Sequence, residues 1–274
     1  MRFEPSGVVT LTTDFGTRDP FVGVMKGRIL SRLPAAQIID LTHEMAAYWP
    51  AEAGFWLSRS FESFPTGTIH VAVVDPGVGT ARAIAIVRAA GHVFLAPDNG
   101  LLAPLLARHP QARITRLNPD CLPRHGITAA SATFHGRDIF APLAAELAAS
   151  RCLPEDLGEE VAALMPSALQ EPRREGALVQ GVVITIDHFG NLITNIDAAL
   201  LLDFQSPEVR AAGRGFALRR TYGEVDAGEY LALINAFQVL EIACAAGSAA
   251  AGLGLGRGAP VQVRECGKTT PNSN

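Results

Sequence analysis

The sequence predicts an α/β protein with two domains: a layered α/β sheet domain, followed by a smaller, mainly antiparallel β domain. Two observations carry this prediction. Apolar strand-like runs alternate with helix-like segments up to about residue 150, which is typical of a sheet covered by helices. Beyond residue 178 the runs are short and joined by turns, which favours antiparallel strands.

The segments of the N-terminal domain follow from their apolar patterns. Continuous apolar or β-branched runs predict strands at 8–13, 37–42, 68–75, 83–89 and 92–100. Helices are predicted after Asp19-Pro20, where Asp19 would be the cap, and at Pro50. Two more are predicted at 100–109 and after Thr133. Polar residues collect where the strands end, and in open α/β sheets that edge binds ligands.

A stretch rich in proline and charge, residues 154–178, marks the domain boundary. We therefore expect an N-terminal domain at 1–168 and a C-terminal domain at 176–266. Within the second domain, strands are predicted at 177–187, 191–196, 215–220, 229–235 and 260–265, and helices at 196–204 and 247–250. The tail, residues 267–274, is expected to be disordered.

The composition narrows the function classes. The formal net charge is −4 over 274 residues and there is no basic block, so we expect no nucleic acid as a partner. No run approaches the roughly 20 apolar residues of a membrane span, and the N-terminus resembles no leader peptide. We expect a cytoplasmic protein without membrane contact. Its four cysteines lack paired spacing and are expected to be reduced.

Asp75 closes the third predicted strand and is followed by Gly77, Gly79 and Arg82. A carboxylate beside glycines that permit close approach of the backbone suits a general base or a group that orients water. Asp-Pro-Gly is also an ordinary turn sequence, so the pattern alone leaves both interpretations open.

Asp14 and His135 also stand next to predicted elements. Asp14 follows the first strand, where an aspartate can bind a ribose diol or cap a helix, and no glycine-rich dinucleotide fingerprint accompanies it. His135 precedes a predicted helix, where a base, a ligand and a structural histidine all fit the sequence.

The densest polar run of the second domain spans residues 187–195. Asn191 has the amide to read an adenine edge, and Phe189 has a ring to stack on a base. A hairpin turn on Phe-Gly-Asn accounts for the same residues equally well.

A metal site is the competing interpretation of the polar groups in the first domain. An oxygen-rich set with a histidine would suit Mn²⁺ or Mg²⁺, and its members would be Asp14, Asp75, Asp98, Asn99 and His135. No two carboxylate or histidine members share a short spacing typical of metal ligands, so no metal is expected.

Six motifs occur in order along the chain: TTDFG, HVAVVDPGVGT with a following arginine, APDNGLL, TFHGRD, DHFGNLITN and GSAA. Together they resemble the S-adenosylmethionine (SAM) hydroxide adenosyltransferase family, relatives of the fluorinase and chlorinase enzymes, from about residue 8 to 264. The resemblance implies an α/β domain, a β-barrel-like domain, and a homotrimer whose substrate lies between domains of neighbouring subunits. It also implies a small-molecule substrate, SAM, whose ribose C5′ is attacked by water or hydroxide without a cofactor, with release of adenosine and L-methionine.

The resemblance also implies site residues. The catalytic matches are Asp75, Arg82 and His135. The matches expected to bind substrate are Asp14 at the ribose, Asp187 at the methionine amino group and Asn191 at adenine, together with Tyr48, Phe134, Gly136, Asn235, Ser248 and Ala249. The chemistry agrees with such a set, because the thioether leaves without a proton and the nucleophile is the difficulty. An aspartate and a histidine can orient water and take its proton while an arginine stabilises the hydroxide charge.

The same motifs bear on the alternatives. In the halogenase relatives a tyrosine stands where this chain has Asp75, and a carboxylate would repel a halide. One departure from the family is Asn235-Ala236-Phe237-Gln238, where members usually have Asn-Ser-x-Gly, which leaves open how the methionine carboxylate is held. The alternatives to hydrolysis are a chlorinase-like halogenase and a non-catalytic adenosine- or SAM-binding protein.

Overall fold

A computed structural model of the chain describes residues 3–266. The chain divides into two compact units, of which the first ends at Leu169 and the second begins at Gln170. The tail predicted to be disordered, residues 267–274, lies outside the described residues. Within the described part, none of the helices has the length and apolar character needed to cross a membrane.

The first unit is a mixed sheet with helices packed on it. Its strands are β1 Val8–Thr13, β2 Gln37–Thr42, β3 Ile69–Val73, β4 Ile84–Ala89, β5 His92–Pro97, β6 Arg113–Leu117 and β7 Gly158–Glu160. Its α-helices are α1 Phe21–Leu30, α2 Pro50–Ser60, α3 Ala103–Arg108 and α4 Ala141–Ala148. The strand order is β2-β1-β3-β5-β4-β6-β7, and the first four strands of that order run parallel. The predicted α/β class is confirmed.

A hydrophobic core lies on each face of this sheet. Alternate residues of a strand point to opposite faces, so Val71 and Val73 enter one core while Ala72 enters the other. The first core takes apolar side chains from α1 and α4, and the second takes them from α2 and α3. Burial on both faces explains why the central strands β1, β3, β4 and β5 read as continuous apolar runs in the sequence.

Two details of the first unit differ from the sequence prediction. Helix α1 begins at Phe21 with Pro20 before it, and no side chain caps it, so the capping role predicted for Asp19 is wrong. Strands β6 and β7 were not predicted, because β6 carries two arginines and β7 is a three-residue edge strand, so neither has the apolar run of a central strand.

The second unit is a closed β-barrel. Its strands are β8 Arg173–Glu175, β9 Leu178–Ile186, β10 Leu192–Asp197, β11 Pro207–Ala211, β12 Arg214–Arg219, β13 Tyr230–Ile234, β14 Val239–Cys244 and β15 Pro260–Glu265, with helix α5 Ala249–Leu253. The order β10-β14-β13-β12-β11-β15-β9 closes through pairing of β9 with β10, and β8 adds to the edge of β9. All these pairs are antiparallel except β12 with β13. The helix predicted at 196–204 is wrong, since that segment holds one 3₁₀ turn, Ala198–Leu201.

Candidate active site

The carboxyl ends of strands β1 and β3 lie side by side in the first unit. The two strands pair in parallel with Thr13 opposite Val73. Asp14 follows the first strand directly, and Asp75 comes two residues after the second. The topology therefore brings these aspartates to one edge of the sheet, the edge where open α/β sheets bind ligands.

Arg82 folds back onto Asp75. Its Nε donates to both carboxylate oxygens at 2.9 Å, and its Nη2 donates to Oδ2 as well. The side chains of Arg82 and Asp75 are only 10% and 4% exposed. Because little water reaches this pair, its charges interact more strongly than those of a surface ion pair.

The same guanidinium reaches His135. Nη2 of Arg82 lies 3.0 Å from Nδ1 of His135. A guanidinium has donors and no acceptor, so Nδ1 accepts this bond and the proton of the neutral imidazole is on Nε2. Burial lowers the pKa of His135, and the neighbouring Arg82 lowers it further. His135 is therefore neutral near pH 7, with its single ring lone pair directed at Arg82.

His135 is held by a π-helical turn, Gly136–Phe140, that leads into α4. The neighbouring side chains leave little space for a side chain at Gly136, because a Cβ at this position would lie 3.1 Å from the Phe134 ring and 3.2 Å from Sδ of Met25. Phe134 in turn packs edge-on against Phe15 and Phe21, with ring centroids 5.9 and 5.4 Å away. An aromatic cluster thus fixes the backbone on which His135 stands.

Asp14 and Tyr48 are in contact. Oδ2 of Asp14 accepts the backbone N–H of Tyr48 at 3.0 Å. Tyr48 has a φ of 63°, a strained value for a residue with a side chain, and the residue as a whole is 75% exposed. Such strain is common at ligand sites, where the surrounding structure holds it. The second carboxylate oxygen of Asp14 retains acceptor capacity for a ligand hydroxyl.

In the second unit, Asp187 organises the turn between β9 and β10. Its Oδ1 accepts the backbone N–H groups of Phe189 and Asn191 at 2.9 Å each. Asn191 also donates from Nδ2 to Oδ2 of Asp187, at 2.9 Å. The hairpin interpretation of residues 187–191 is therefore correct, and it fixes the orientation of the Asn191 amide.

A cavity of about 490 Å³ opens beside this turn, lined by Phe189, Asn191, Tyr222 and residues 244–247. Phe189 as a residue is 74% exposed. An exposed aromatic face next to a buried amide suits a flat heteroaromatic ligand, because the ring can stack while the amide reads its edge.

Glu241 is the residue of this region that sequence reasoning missed. It is 2% exposed and accepts the Tyr222 hydroxyl at 2.7 Å and Nδ2 of Asn235 at 3.1 Å. Burial raises the pKa of Glu241, and the negative charge of nearby Asp187 raises it too. A signal was present in the sequence, since Glu241 interrupts the otherwise apolar strand β14. The influence of the Asp187 charge on Glu241 places two acidic groups in one region of the barrel, which favours a cationic ligand.

Ser248 and Ala249, also predicted to bind substrate, stabilise the local backbone of the second unit. The Ser248 hydroxyl caps α5 by accepting the N–H of Ala251 at 3.1 Å. The Ala249 side chain is fully buried, so this residue offers a ligand its backbone alone. A Cβ at Gly190 would come within 2.1 Å of Ser248 Oγ, which shows how closely the two motifs pack. Gln238, where the family has glycine, adopts a φ of 59°.

Asp98 and Asn99, two of the polar residues considered as metal ligands, each form a hydrogen bond with a different backbone group. Asp98 accepts the N–H of Met165 at 2.7 Å, and Asn99 donates to the Val74 carbonyl at 2.9 Å. Across residues 3–266, no three histidine, cysteine, aspartate or glutamate side chains meet in a group that could hold a metal ion.

Comparisons with known proteins identify the same family that the six sequence motifs resemble. The family models described as SAM hydroxide adenosyltransferase N-terminal domain and C-terminal domain match residues 9–158 and 181–262. A Thermus thermophilus protein named (R)-S-adenosyl-L-methionine hydrolase is 38% identical over 93% of this chain and 98% of its own length. A protein of the same name from Salinispora arenicola is 36% identical, covering 88% and 92%.

More distant relatives and a solved structure complete the comparison. A protein named fluorinase from an Actinoplanes species is 29% identical over 69% of this chain and 71% of its own length. The crystal structure of an uncharacterized conserved protein from Thermotoga maritima superposes with a TM-score of 0.83 at 33% identity, covering 94% and 99% of the two chains. The two matching domain models and the near full-length relatives lead to one conclusion: the chain belongs to the SAM hydroxide adenosyltransferase family.

Proposed function

We propose that this protein is an enzyme that hydrolyses SAM to adenosine and L-methionine. The observation that carries the proposal is the buried Asp75–Arg82–His135 cluster at the ligand-binding edge of the sheet, in a chain of this family. Relatives at 34–38% identity are named for hydrolysis of the (R) form of SAM, so we propose the (R)-sulfonium epimer as the substrate.

The proposed reaction is an in-line displacement at C5′. The water oxygen forms a bond to C5′ as the C5′–S bond breaks, and sulfur takes the bonding electrons to become a neutral thioether. We assign the proton of the water to the Asp75 carboxylate, from which it passes to solvent. His135 is the weaker acceptor, because its ring lone pair already faces Arg82. It serves instead as a hydrogen-bond donor from Nε2.

Arg82 has two roles in this proposal. Its positive charge, held 2.9 Å from Asp75 in a nearly dry site, stabilises the negative charge that develops on the attacking oxygen. It also keeps His135 neutral by lowering the pKa of the imidazole, second to the effect of burial. The departing thioether needs no acid, so no cofactor or metal is required by the proposed mechanism.

The substrate contacts are proposed for both units. Asp14 would bind the ribose hydroxyls beside Tyr48, with Phe134 and Gly136 forming the wall next to His135. Asn191 would read the adenine edge while Phe189 stacks on the base. The two carboxylates Asp187 and Glu241 would hold the methionine ammonium group.

We also propose the homotrimer and the cytoplasmic location expected from the sequence. Support for a subunit contact comes from α1, whose Phe21, Val24 and Leu30 are 44%, 39% and 41% exposed. Sedimentation equilibrium measures the mass of the assembly, and a mass of three chains is expected for the trimer. If neighbouring subunits share a site, mixing inactive Asp75→Asn subunits with inactive Asp187→Asn subunits regains part of the activity, and no recovery argues against shared sites.

The test of hydrolysis is a product assay with purified protein and the separated sulfonium epimers, run in oxygen-18 water. Adenosine labelled in its 5′-hydroxyl, with an equal amount of methionine, is expected from the (R) epimer. Asp75→Asn should abolish it. The matched control is Asp203→Asn, which removes an arginine-paired carboxylate on the surface of the barrel.

Three results would contradict the proposal. A chloride-dependent 5′-chloro-5′-deoxyadenosine product would identify a halogenase. Tight binding of SAM without turnover would identify a binding protein. Full activity in Asp75→Asn would leave hydrolysis intact and overturn the assigned site.

A further inference from the structure

Asp138 is a buried carboxylate three residues beyond His135 that the proposed reaction does not use. It is 7% exposed and accepts Nε of Arg137 at 2.6 Å and Nη2 of Arg137 at 2.9 Å. Its Oδ2 also accepts the backbone N–H of Ser131 at 2.8 Å. The hydrogen bonds from Arg137 hold the pKa of Asp138 far below its usual range, so this carboxylate stays ionised.

These bonds fasten the clamp loop, residues 131–134, to the π-helical turn. Ser131 Oγ accepts the Phe134 N–H at 3.1 Å, which closes the loop on itself. The Arg137 guanidinium lies over the Phe134 ring, 5.3 Å from its centre. Asp138 and Arg137 therefore hold both ends of the clamp loop, and the loop leads directly into His135.

The clamp loop also packs on the turn that carries Asp75 and Arg82. A Cβ placed on Gly79 would come within 2.0 Å of the Ala132 carbonyl oxygen, and Gly79 has a φ of 76°. The two backbones are in direct contact with no side chain between them. A shift of the clamp loop would therefore displace His135, which follows it in the chain, and also the turn that carries Arg82, so it would change the Arg82–His135 hydrogen bond from both partners.

We propose that Asp138, together with Arg137, is the positioning residue of this site: it fixes His135 against Arg82 by holding the clamp loop, without touching the reacting atoms. The kinetic part of this inference rests on the proposed hydrolysis. The geometric part concerns the Arg82–His135 contact alone and can be measured on the protein without substrate.

The pKa of His135 distinguishes positioning from a simple charge effect. Burial and Arg82 lower it, while the negative charges of Asp75 and Asp138 raise it. If Asp138 acts by its charge alone, Asp138→Asn lowers the pKa of His135 further. If Asp138 holds the clamp loop, the same substitution loosens the contact with Arg82 and exposes the ring, and the pKa rises toward the ordinary histidine value.

The experiment compares Asp138→Asn with Glu146→Gln by NMR titration of the imidazole and by steady-state kinetics. Glu146 is the matched control, since it is 6% exposed and paired with Arg32 and Arg151 in the same unit. In Asp138→Asn we expect an upward shift of the His135 pKa and a loss of about 100-fold in kcat with little change in KM. Glu146→Gln should change neither.

A lowered or unchanged His135 pKa in folded Asp138→Asn overturns the inference. Should that variant fail to fold, Arg137→Ala replaces it, because the Arg137 side chain is 38% exposed and its loss is tolerable. An unchanged His135 pKa and kcat in Arg137→Ala then overturn the inference too. If the wild type does not hydrolyse SAM, the proposed function fails, and the titration alone still decides the role of Asp138.

Discussion

Arg82 and Asp75, seven residues apart, form a pair in which one guanidinium nitrogen, Nε, donates to both carboxylate oxygens at 2.9 Å. A second nitrogen of the same group, Nη2, contacts His135 at 3.0 Å. The planar fork of arginine makes both contacts possible at once, because its donors point in fixed directions. Lysine would offer a point charge on a flexible stem and could not bridge the two residues in this way.

Arg82→Lys is therefore predicted to lose most activity while keeping the charge. We expect kcat to fall by about 100-fold to 1,000-fold, as for loss of a donor that stabilises a developing oxyanion. Arg113→Lys is the control, since Arg113 is half exposed and pairs with Glu160 on the surface. Steady-state kinetics on both variants checks this, and a kcat for Arg82→Lys close to wild type would exclude the assigned role.

The decline of activity at acid pH should follow the protonation of the His135 imidazole. The neutral ring accepts a hydrogen bond from Arg82, and protonation would set two cations against each other. Burial and Arg82 hold the pKa of His135 below its ordinary value of 6.5. Activity is thus predicted to persist as the pH falls through 6.5, and to decline only at lower pH. A profile of kcat against pH measures this, and an acid limb centred above the ordinary histidine pKa would contradict it.

Removal of the buried carboxylate of the barrel should weaken binding more than catalysis. Glu241→Gln keeps the shape of the hydrogen-bonded cluster with Tyr222 and Asn235 but loses its negative charge. An ammonium group bound there takes no part in the bonds that form and break at C5′, so we expect KM to rise about 10-fold with kcat nearly unchanged. Glu208→Gln, in β11, serves as the control. A fall in kcat at constant KM would place Glu241 in the chemical step instead.

A buried histidine chain makes the first unit sensitive to acid. His70 is fully buried between the Thr10 hydroxyl, 2.8 Å from Nδ1, and His92, 3.1 Å from Nε2. Burial lowers the pKa of His70 to about 3 from an ordinary value of 6.5. Between these values the unfolded chain binds a proton that the folded chain does not. Stability is therefore full above pH 6.5 and is lost as the pH falls.

The predicted loss is about 1.4 kcal/mol in the free energy of unfolding for each pH unit below 6.5, to which His92 adds. Urea unfolding at about pH 7 and about pH 5 measures it. His70→Gln, which preserves hydrogen-bonding groups and cannot be protonated, should show a smaller decline. His188→Gln, on the exposed hairpin turn, should decline like the wild type.

The sequence and the structure agree where local pattern decides the outcome. The strand runs at 8–13 and 37–42 match β1 and β2 residue for residue. Strand β1 is buried at every position, which leaves a continuous apolar or β-branched run, whereas β2 is a partly exposed edge strand recognised by its short run Ile38-Ile39. The helix predicted at 196–204 failed since its apolar residues satisfy a helical pattern, while the barrel wall needs only a single turn there. Strand β14 was not predicted, because the charged Glu241 in its centre interrupts the apolar run that marks a buried strand.

The sequence by itself determined the two-domain α/β and β architecture, the motif set and the positions at which Asp14, Asp75 and His135 would stand. Tertiary structure decided what these side chains do to one another. The direction of Arg82 depends on a turn that includes Gly79, and the contact with His135 joins residues 53 apart in the chain. Such contacts arise from packing between separate segments, for which no local periodicity exists. The pairing of Glu241 with Tyr222 and the hold of Asp138 on the clamp loop belong to the same class.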